Sequence, residues 1–435
     1  MKNHLFSRRK FLGTSLLSAA GFSFFHKGGY AKNTQIFGSD DFHQVRLGFI
    51  GVGRKGMEIL NRMMRIPGVE VMACAEVYEV KRERFKLRVD KISNELGKPS
   101  PKVAVYNNYK DLLARPDIDA VVIATPDHWH ALMAIDACKA GKDIYLEKPL
   151  TFTIKEGQEL IKAVRSNGIV LAVGSQQRSE LNFQHAARMV QKGHLGKIKE
   201  VLVHVGQPEH PSPYNLDAQP IPKGLDWDAW LGPLPKIEYN EKLNPSISLN
   251  PEENEKFWAA WRQYKETGGG FMTDWGAHMF DIAQWGLGMD RSGPVKVIPG
   301  NADKPLRYLY ENGTEMIVGP FDEGQQGVKF IGEKGWIKVS RGNFDSSDQS
   351  LKPTIEAPKS IYPPHYWDFI DSVIKRKDPI VPVEIGHSSC VVCTIGNIAN
   401  ELGRPLEWDP VLQTFPNDWE AAAKLHYNYQ NGFKL

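Results

Sequence analysis

Between residues 45 and 177, apolar positions fall in short, nearly continuous runs set apart by mixed amphipathic stretches. Val45 to Ile50, Val69 to Ala75, Ala120 to Ala124 and Ile169 to Val173 carry few polar positions, as strands covered on both faces do. Residues 57–64, 127–140 and 154–164 show the wider spacing of helices. Strand and helix alternating in this way predict a parallel, doubly wound sheet. After residue 178 the pattern changes. A helix is expected over 181–193 and a strand over 197–205, followed by an irregular stretch, 207–256, rich in Pro, Asn and indole rings. Short strand-like runs with turns at Gly313, Gly327, Gly332 and Gly335 come next, and Val328 to Ile337 reads as a hairpin. Helices are expected over 366–375 and 388–402.

The amino end belongs to neither pattern. Ser7-Arg8-Arg9-Lys10-Phe11-Leu12 is a twin-arginine pattern, and the apolar segment from Phe11 to Phe25 has the length of a signal h-region. This predicts export by the twin-arginine route to the periplasm or beyond, with Gly29-Tyr30-Ala31 as a plausible cleavage site. Later in the chain no segment is long and apolar enough to suggest a membrane span. The first 31 residues hold five cations and no acid, and taking those five from the formal +3 leaves −2. Nothing global then points to nucleic acid. The expected divisions are a signal (1–31), a lead-in (32–44), a nucleotide domain (45–177), an α+β substrate and oligomerisation domain (178–385), and a carboxyl-terminal helix packed on the nucleotide domain with a tail (386–435). Cys74, Cys138, Cys390 and Cys393 are expected to be buried thiols, since no second pair or His spacing completes a metal site.

Chemistry-bearing residues cluster at the predicted carboxyl ends of the strands. Gly51-Val52-Gly53-Arg54-Lys55-Gly56 is a Gly-x-Gly-x-x-Gly run between a strand and a helix, the context in which backbone amides receive a pyrophosphate. Glu76, twenty residues past Gly56, ends the next strand and suits the adenosine ribose hydroxyls, favouring NAD over NADP. Arg54 and Lys55 leave NADP open. Thr125-Pro126-Asp127-His128-Trp129-His130, Glu147-Lys148-Pro149 and Gln176-Gln177-Arg178 come after later strands. Farther along, Gly268-Gly269-Gly270 leads a predicted helix. Its stripe of Asp274, His278, Asp281 and Trp285 lies opposite the apolar Phe271, Trp275, Met279 and Ile282.

Gly-x-Gly-x-x-Gly, Ala124-Thr125-Pro126, Glu147-Lys148-Pro149 and Asp274-x-x-x-His278, in this order, resemble the Gfo/Idh/MocA oxidoreductases over roughly residues 45–410. The resemblance implies a Rossmann domain followed by an α+β domain with a large, mostly antiparallel open sheet. It also implies a homodimer or homotetramer formed through that sheet. By resemblance Lys148 holds the nicotinamide and the reacting hydroxyl, and His278 is the acid/base with Asp274 beside it. Gly51, Gly53, Arg54, Gly56, Glu76, Thr125, Pro126, His128, Trp129, His130, Glu147, Lys148 and Gln176 are expected around the cofactor. Arg178, Trp261, Asp274 and His278 are expected around the substrate, with no metal. The family's exported NAD-dependent α-N-acetylgalactosaminidases share the Thr-Pro-x-x-Trp-His turn but lack a lysine where this chain has Lys148.

Oxidising a sugar carbinol needs a base for the O–H proton and an acceptor for the hydride. Free NAD is scarce outside the cytoplasm, so export suggests a cofactor that stays tightly bound and is recycled within each cycle. The expectation is an NAD(P)-dependent oxidoreductase acting on a sugar or glycoside hydroxyl. One alternative is a glycoside hydrolase or lyase working through a transient 3-keto sugar, with His204, His210 or a tyrosine as a further base. Another is a non-catalytic sugar- or nucleotide-binding protein.

Overall fold

The computed structural model describes residues 44–206, 211–251, 258–322, 324–353 and 362–435. The expected export signal and all but the last residue of the lead-in lie outside them. Among the described residues, no helix is long and apolar enough to cross a membrane.

Six strands form the first sheet: β1 (Val45–Ile50), β2 (Val69–Ala75), β3 (Ala104–Tyr106), β4 (Ala120–Ile123), β5 (Asp143–Leu146) and β6 (Leu171–Val173). Every pairing is parallel and the order is β3-β2-β1-β4-β5-β6, the doubly wound arrangement that the alternation predicted. Its crossovers are α1 (Arg54–Met63), α2 (Glu79–Glu95), α3 (Tyr109–Leu113), α4 (Asp127–Lys139) and α5 (Ile154–Asn167). Thr153 and Glu156 close a reciprocal capping box at the start of α5, and Gly168 ends that helix in the left-handed region. Side chains of β4 and β5 are buried throughout because helices cover both faces.

α6 (Leu181–Gln191) leads into the second sheet, made of β7 (Ile198–His204), β8 (Lys296–Ile298), β9 (Leu306–Leu309), β10 (Glu315–Val318), β11 (Gly327–Gly332), β12 (Gly335–Ser340), β13 (Asn343–Ser346) and β14 (Leu406–Glu407). Its order is β13-β12-β11-β7-β10-β9-β8-β14, and only β7 and β10 run parallel. The expected hairpin is β11–β12. Its register sets Val328 across from Val339 and from Val203, and Phe330 across from Ile337 and from Val201. These side chains form the covered face, packed on Phe183 of α6 and on Met279, Phe280 and Ile282.

The irregular stretch contains α7 (Trp227–Leu231), and the glycine-led helix is two pieces, α8 (Gly270–Asp274) and α9 (Gly276–Leu287), joined at Trp275. α10 (Pro364–Lys375) and α11 (Val383–Leu402) complete the frame. Two expected divisions shift. α10 packs on the nucleotide domain, because Tyr366, Phe369, Ile370 and Val373 join the core of Leu47, Phe49 and Tyr145. α11 begins at Val383, so it spans the expected break at residue 385, and β14 beyond it joins the second sheet. All four cysteines are free and buried.

Arg178 corrects a sequence expectation. It was expected at the substrate, but only 2% of its side chain is exposed. Its Nε and Nη2 donate to the Asp281 carboxylate at 2.8 and 2.9 Å, and its Nη1 and Nη2 to Asp290 at 3.0 and 2.6 Å. Asp281, placed by its helical stripe beside the site, turns instead to Arg178 and Ser389. Both charges are satisfied inside the fold and tie the end of the first domain to α9. Replacing Arg178 by Met strands the Asp281 carboxylate and is expected to cost about 3–5 kcal/mol. Denaturant titration measures this, and a loss below about 1 kcal/mol would contradict a structural role.

Candidate active site

β1 ends in the glycine turn and α1 begins directly from it. Gly51 has φ +79°, and a Cβ there would lie 2.7 Å from Thr125 Cγ2. A Cβ on Gly56 would lie 2.3 Å from the Gly51 carbonyl oxygen, so the helix packs this close to the turn only with glycine. Nothing stands within 4 Å of where a Gly53 Cβ would be, and Gly53 caps α1 without a side-chain hydrogen bond. First-turn amides thus face open space, as an anion-binding helix end requires. Val52 N–H donates to Glu76 Oε2 at 3.1 Å and Tyr78 N–H to Oε1 at 3.2 Å, which holds this carboxylate beside the turn.

Gly51, Gly53 and Glu76 line a cavity of about 390 Å³ together with Arg54, Thr125, Pro126 and Trp129, within the range of small-molecule sites. Its far wall comes from the irregular stretch and the residues just after it. Trp227 and Trp230 stack at 4.5 Å, and the Trp230 carbonyl accepts from Trp129 Nε1–H at 2.9 Å. The Arg262 guanidinium sits 4.2 Å from the Trp258 ring and 4.0 Å from the Trp261 ring, and Arg54 lies 4.9 Å from Trp258. Trp261, expected at the substrate, therefore lines the same cavity as Gly51 and Glu76, which His278 does not line. The donor set, the close-packed glycine turn and the cavity fit a dinucleotide.

Past the edge of that cavity lie the other signature residues. Lys148 Nζ donates to Asp274 Oδ1 at 2.6 Å and to the Asp274 carbonyl at 2.8 Å. Glu147, at the end of β5, accepts from Gln176 Nε2–H at 2.7 Å and from Lys148 N–H at 3.1 Å, with Lys55 Nζ 3.9 Å away. Gln176 thus orients Glu147. His278, one turn beyond Asp274, is 6% exposed, and its Nδ1 has no hydrogen-bond partner among the described residues. Burial, then Lys148, Arg341 and Lys55, hold its imidazole well below the usual 6.5. Burial thus favours the neutral ring, whose unpaired Nδ1 is a weakened base. Burial pushes the Asp274 carboxyl up, but Lys148 and Arg262 outweigh it and leave the group below its ordinary value.

His128 and His130 stand behind the cavity rather than in it. His128 Nε2 meets the Trp230 carbonyl at 2.9 Å; His130 lies between the Pro149 and Thr125 carbonyls at 2.8 and 3.0 Å. Burial lowers both to about 4, so the neutral His130 ring donates to one carbonyl at a time, bracing the Thr-Pro turn against the Lys-Pro turn. Three charged residues near the site were not singled out from sequence as site residues: Lys55, Arg262 and Asp127. Asp127 comes directly after Pro126, and burial pushes it up to about 7 despite Arg262 and Lys148.

Two family models match the chain: "Oxidoreductase family, NAD-binding Rossmann fold" over residues 45–175 and "Oxidoreductase family, C-terminal alpha/beta domain" over 209–435. The uncharacterized oxidoreductase YrbE of Bacillus subtilis is 25% identical over 339 residues, 74% of this chain and 81% of that one. Glycosyl hydrolase family 109 protein 1 of Shewanella sp. strain MR-4 is 35% identical over 159 residues, 35% of this chain and 33% of that protein's length. This chain therefore spans only about a third of that relative. Among solved structures, aldose-aldose oxidoreductase from Caulobacter crescentus, complexed with glycerol, superposes with TM-score 0.58 at 18% identity, covering 84% of this chain and 100% of that one.

Among the described residues, five buried histidines, His387 included, are lowered by burial and give the fold a pH dependence. His128, His130 and His365 are lowered to about 4, chiefly by burial, and His278 well below 6.5. Below about pH 6.5 the unfolded chain takes up protons that the native chain refuses, so these groups lose stability as pH falls. Asp127 and Glu156, raised to about 7 by burial, act in the opposite sense between pH 7 and 4, as do Asp281, Glu180 and Asp368, also raised by burial; these five stand against six lowered imidazoles once the half-buried His426 is counted. Tm is expected to fall between pH 6.5 and pH 4.5, with a shallower slope in His128→Asn. A Tm that holds or rises across this window would contradict neutral buried imidazoles.

Proposed function

Because the chain belongs to the Gfo/Idh/MocA oxidoreductase family, we propose that it oxidises a hydroxyl of a sugar or glycoside with a bound NAD(P). The observation that carries this reading is the Lys148–Asp274 pair, with a neutral, buried His278 one helical turn farther on. Gly51, Gly53, Gly56, Glu76 and Thr125 would hold the cofactor. When bound there, it supplies the acceptor for the substrate's C–H electron pair. Lys148, turned by Asp274, donates toward the substrate oxygen and favours its alkoxide character. His278 takes the hydroxyl proton, which its depressed basicity makes easy to release again. Glu147, oriented by Gln176 and close to Lys55, keeps the Lys148 backbone in place.

The cofactor is proposed to stay bound and to be recycled within each catalytic cycle, in an exported protein. The Trp258–Arg262–Trp261 stack on the cavity wall supports this, since it adds aromatic surface against which a nucleotide can pack. Glu76 beside the turn favours NAD over NADP. A homodimer or homotetramer is proposed through the outer face of the second sheet. Leu202, Ile317, Ile331 and Trp336 are only partly covered there.

A second reading, transient oxidation of a glycoside to a 3-keto sugar followed by elimination, is supported by the likeness to the family 109 protein. It uses the same Lys148 and His278 and adds a base for the C2 proton. Of the candidate bases, His204 has its Nδ1 3.1 Å from the Gln325 carbonyl, and His210 lies outside the described residues.

Denaturing the purified protein is expected to release about one equivalent of NAD per chain. Finding none, with turnover dependent on added nucleotide, would overturn the recycling proposal. Lys148→Ala and His278→Ala are each expected to lower kcat by about 10²–10⁴-fold with the nucleotide content retained. Full turnover in either variant would sink the mechanism. Assaying glycosides for 3-keto products against free sugar separates the two readings.

A further inference from the structure

Beyond the Lys148–His278 group, an exposed arginine carries a charge that the proposed chemistry does not use. Arg341 comes right after β12, in the turn Arg341-Gly342 before β13. That turn is held from below. Asn343 Nδ2 donates to the Arg341 carbonyl and to Gln325 Oε1, both at 3.3 Å, and Ser340 Oγ reaches the same Gln325 oxygen at 3.2 Å. The guanidinium carbon lies 4.5 Å from the centre of the Trp275 ring, and that ring is 6.0 Å from the His278 imidazole. A single indole therefore stands between the proposed acid/base and a cation.

The other cations near His278 already have carboxylates. Lys148 has Asp274 at 2.6 Å, Arg262 has Asp274 at 3.6 Å, and Lys55 has Glu58 at 3.3 Å and Glu147 at 3.9 Å. Arg341 differs: among the described residues it makes no ion pair, and its partner is the Trp275 face. Glu180 lies close enough to feel its charge, yet burial raises that carboxyl above its ordinary value rather than pairing it. The wall beside His278 thus has a surplus of positive charge. A guanidinium laid flat on an indole is pre-organised and keeps its N–H edge free for a planar, bidentate acceptor.

We propose that Arg341, braced on Trp275, is an anion subsite of the substrate cleft, and that the sugar oxidised here carries a carboxylate, as a uronic acid or its glycoside does. Trp275 touches both the guanidinium and the imidazole, so a sugar oxidised at His278 would have Arg341 as its neighbouring cation one indole away. This assignment rests on the sugar-oxidoreductase reading above.

The test uses the nucleotide-loaded enzyme and matched methyl glycosides in the gluco, galacto and manno series, each as the neutral sugar, the uronate and the 6-phosphate. Reduction of the bound nicotinamide is followed by its near-ultraviolet absorbance in single turnover. For at least one epimer, kcat/KM is expected to favour the uronate over the neutral sugar by about 10–100-fold, the range of one charge-assisted hydrogen-bond pair. Arg341→Gln is expected to remove that factor through KM, with a much smaller change for the neutral sugar, and Arg341→Lys to restore part of it. In the wild type, KM for the uronate rises with ionic strength. That measurement stands even if a variant fails to fold. Equal or better turnover of neutral sugars overturns the subsite alone, and a preference for the 6-phosphate overturns the carboxylate assignment. Absence of nicotinamide reduction with every sugar overturns the underlying reading as well.

Discussion

Lys148 leaves the fifth strand of the nucleotide sheet, and Asp274 ends the short helix that opens the second domain's core. Their contact, with Nζ 2.6 Å from the carboxylate and 2.8 Å from the Asp274 carbonyl, joins the two halves of the chain. Both side chains are largely buried, at 10% and 15% exposure, so neither charge is stable there without the other. The pair sets the position of α9 and therefore of His278. Burial first, and then the Lys148 charge, lower the basicity of that imidazole, which keeps the ring neutral beside a cation. The arrangement depends on the two domains remaining docked.

Several buried polar contacts maintain that docking. Arg178 reaches from the end of the first domain to Asp281 and Asp290. Asn397 on α11 donates to the Gly269 carbonyl in front of α8, and Leu150 N–H, just past the Lys-Pro turn, donates to Cys390 Sγ. α11 packs against both α5 and α9 and so fixes the helices that carry the signature turns. On the opposite side, the irregular stretch lies over the nucleotide cavity. Trp227, Trp230 and Trp261 form a separate aromatic core there with Tyr78 and Tyr239. The described part of the irregular stretch is thus placed on the cofactor side.

The glycine turn, Glu76, Thr125, Lys148, Asp274 and His278 were legible in the sequence because each sits at an element end whose periodicity is local, and because their order along the chain resembles one family. Arg178 was misplaced because its carboxylate partners are more than a hundred residues away and obey no spacing rule. His128 and His130 were placed at the cofactor, whereas their rings point back to the carbonyls of Trp230, Pro149 and Thr125. Arg262 and Arg341 carry no motif. Arg341 acquires a role only when the distant Trp275 is brought under its guanidinium, whereas Arg262 stacks on its sequence neighbours Trp258 and Trp261 and gains its place when Asp274 is brought near it.

The amino-acid sequence by itself determined the doubly wound sheet, the location of its ligand crevice and the residue types that carry the chemistry. Those features arise from local hydrophobic period, glycine conformation and strand-end position. Tertiary structure alone decided which charges neutralise one another, which tryptophans line the nucleotide cavity, and which arginine rests on an indole with no ion pair among the described residues. Electrostatic pairing depends on distance through space and on burial, and neither is encoded in any short stretch of chain.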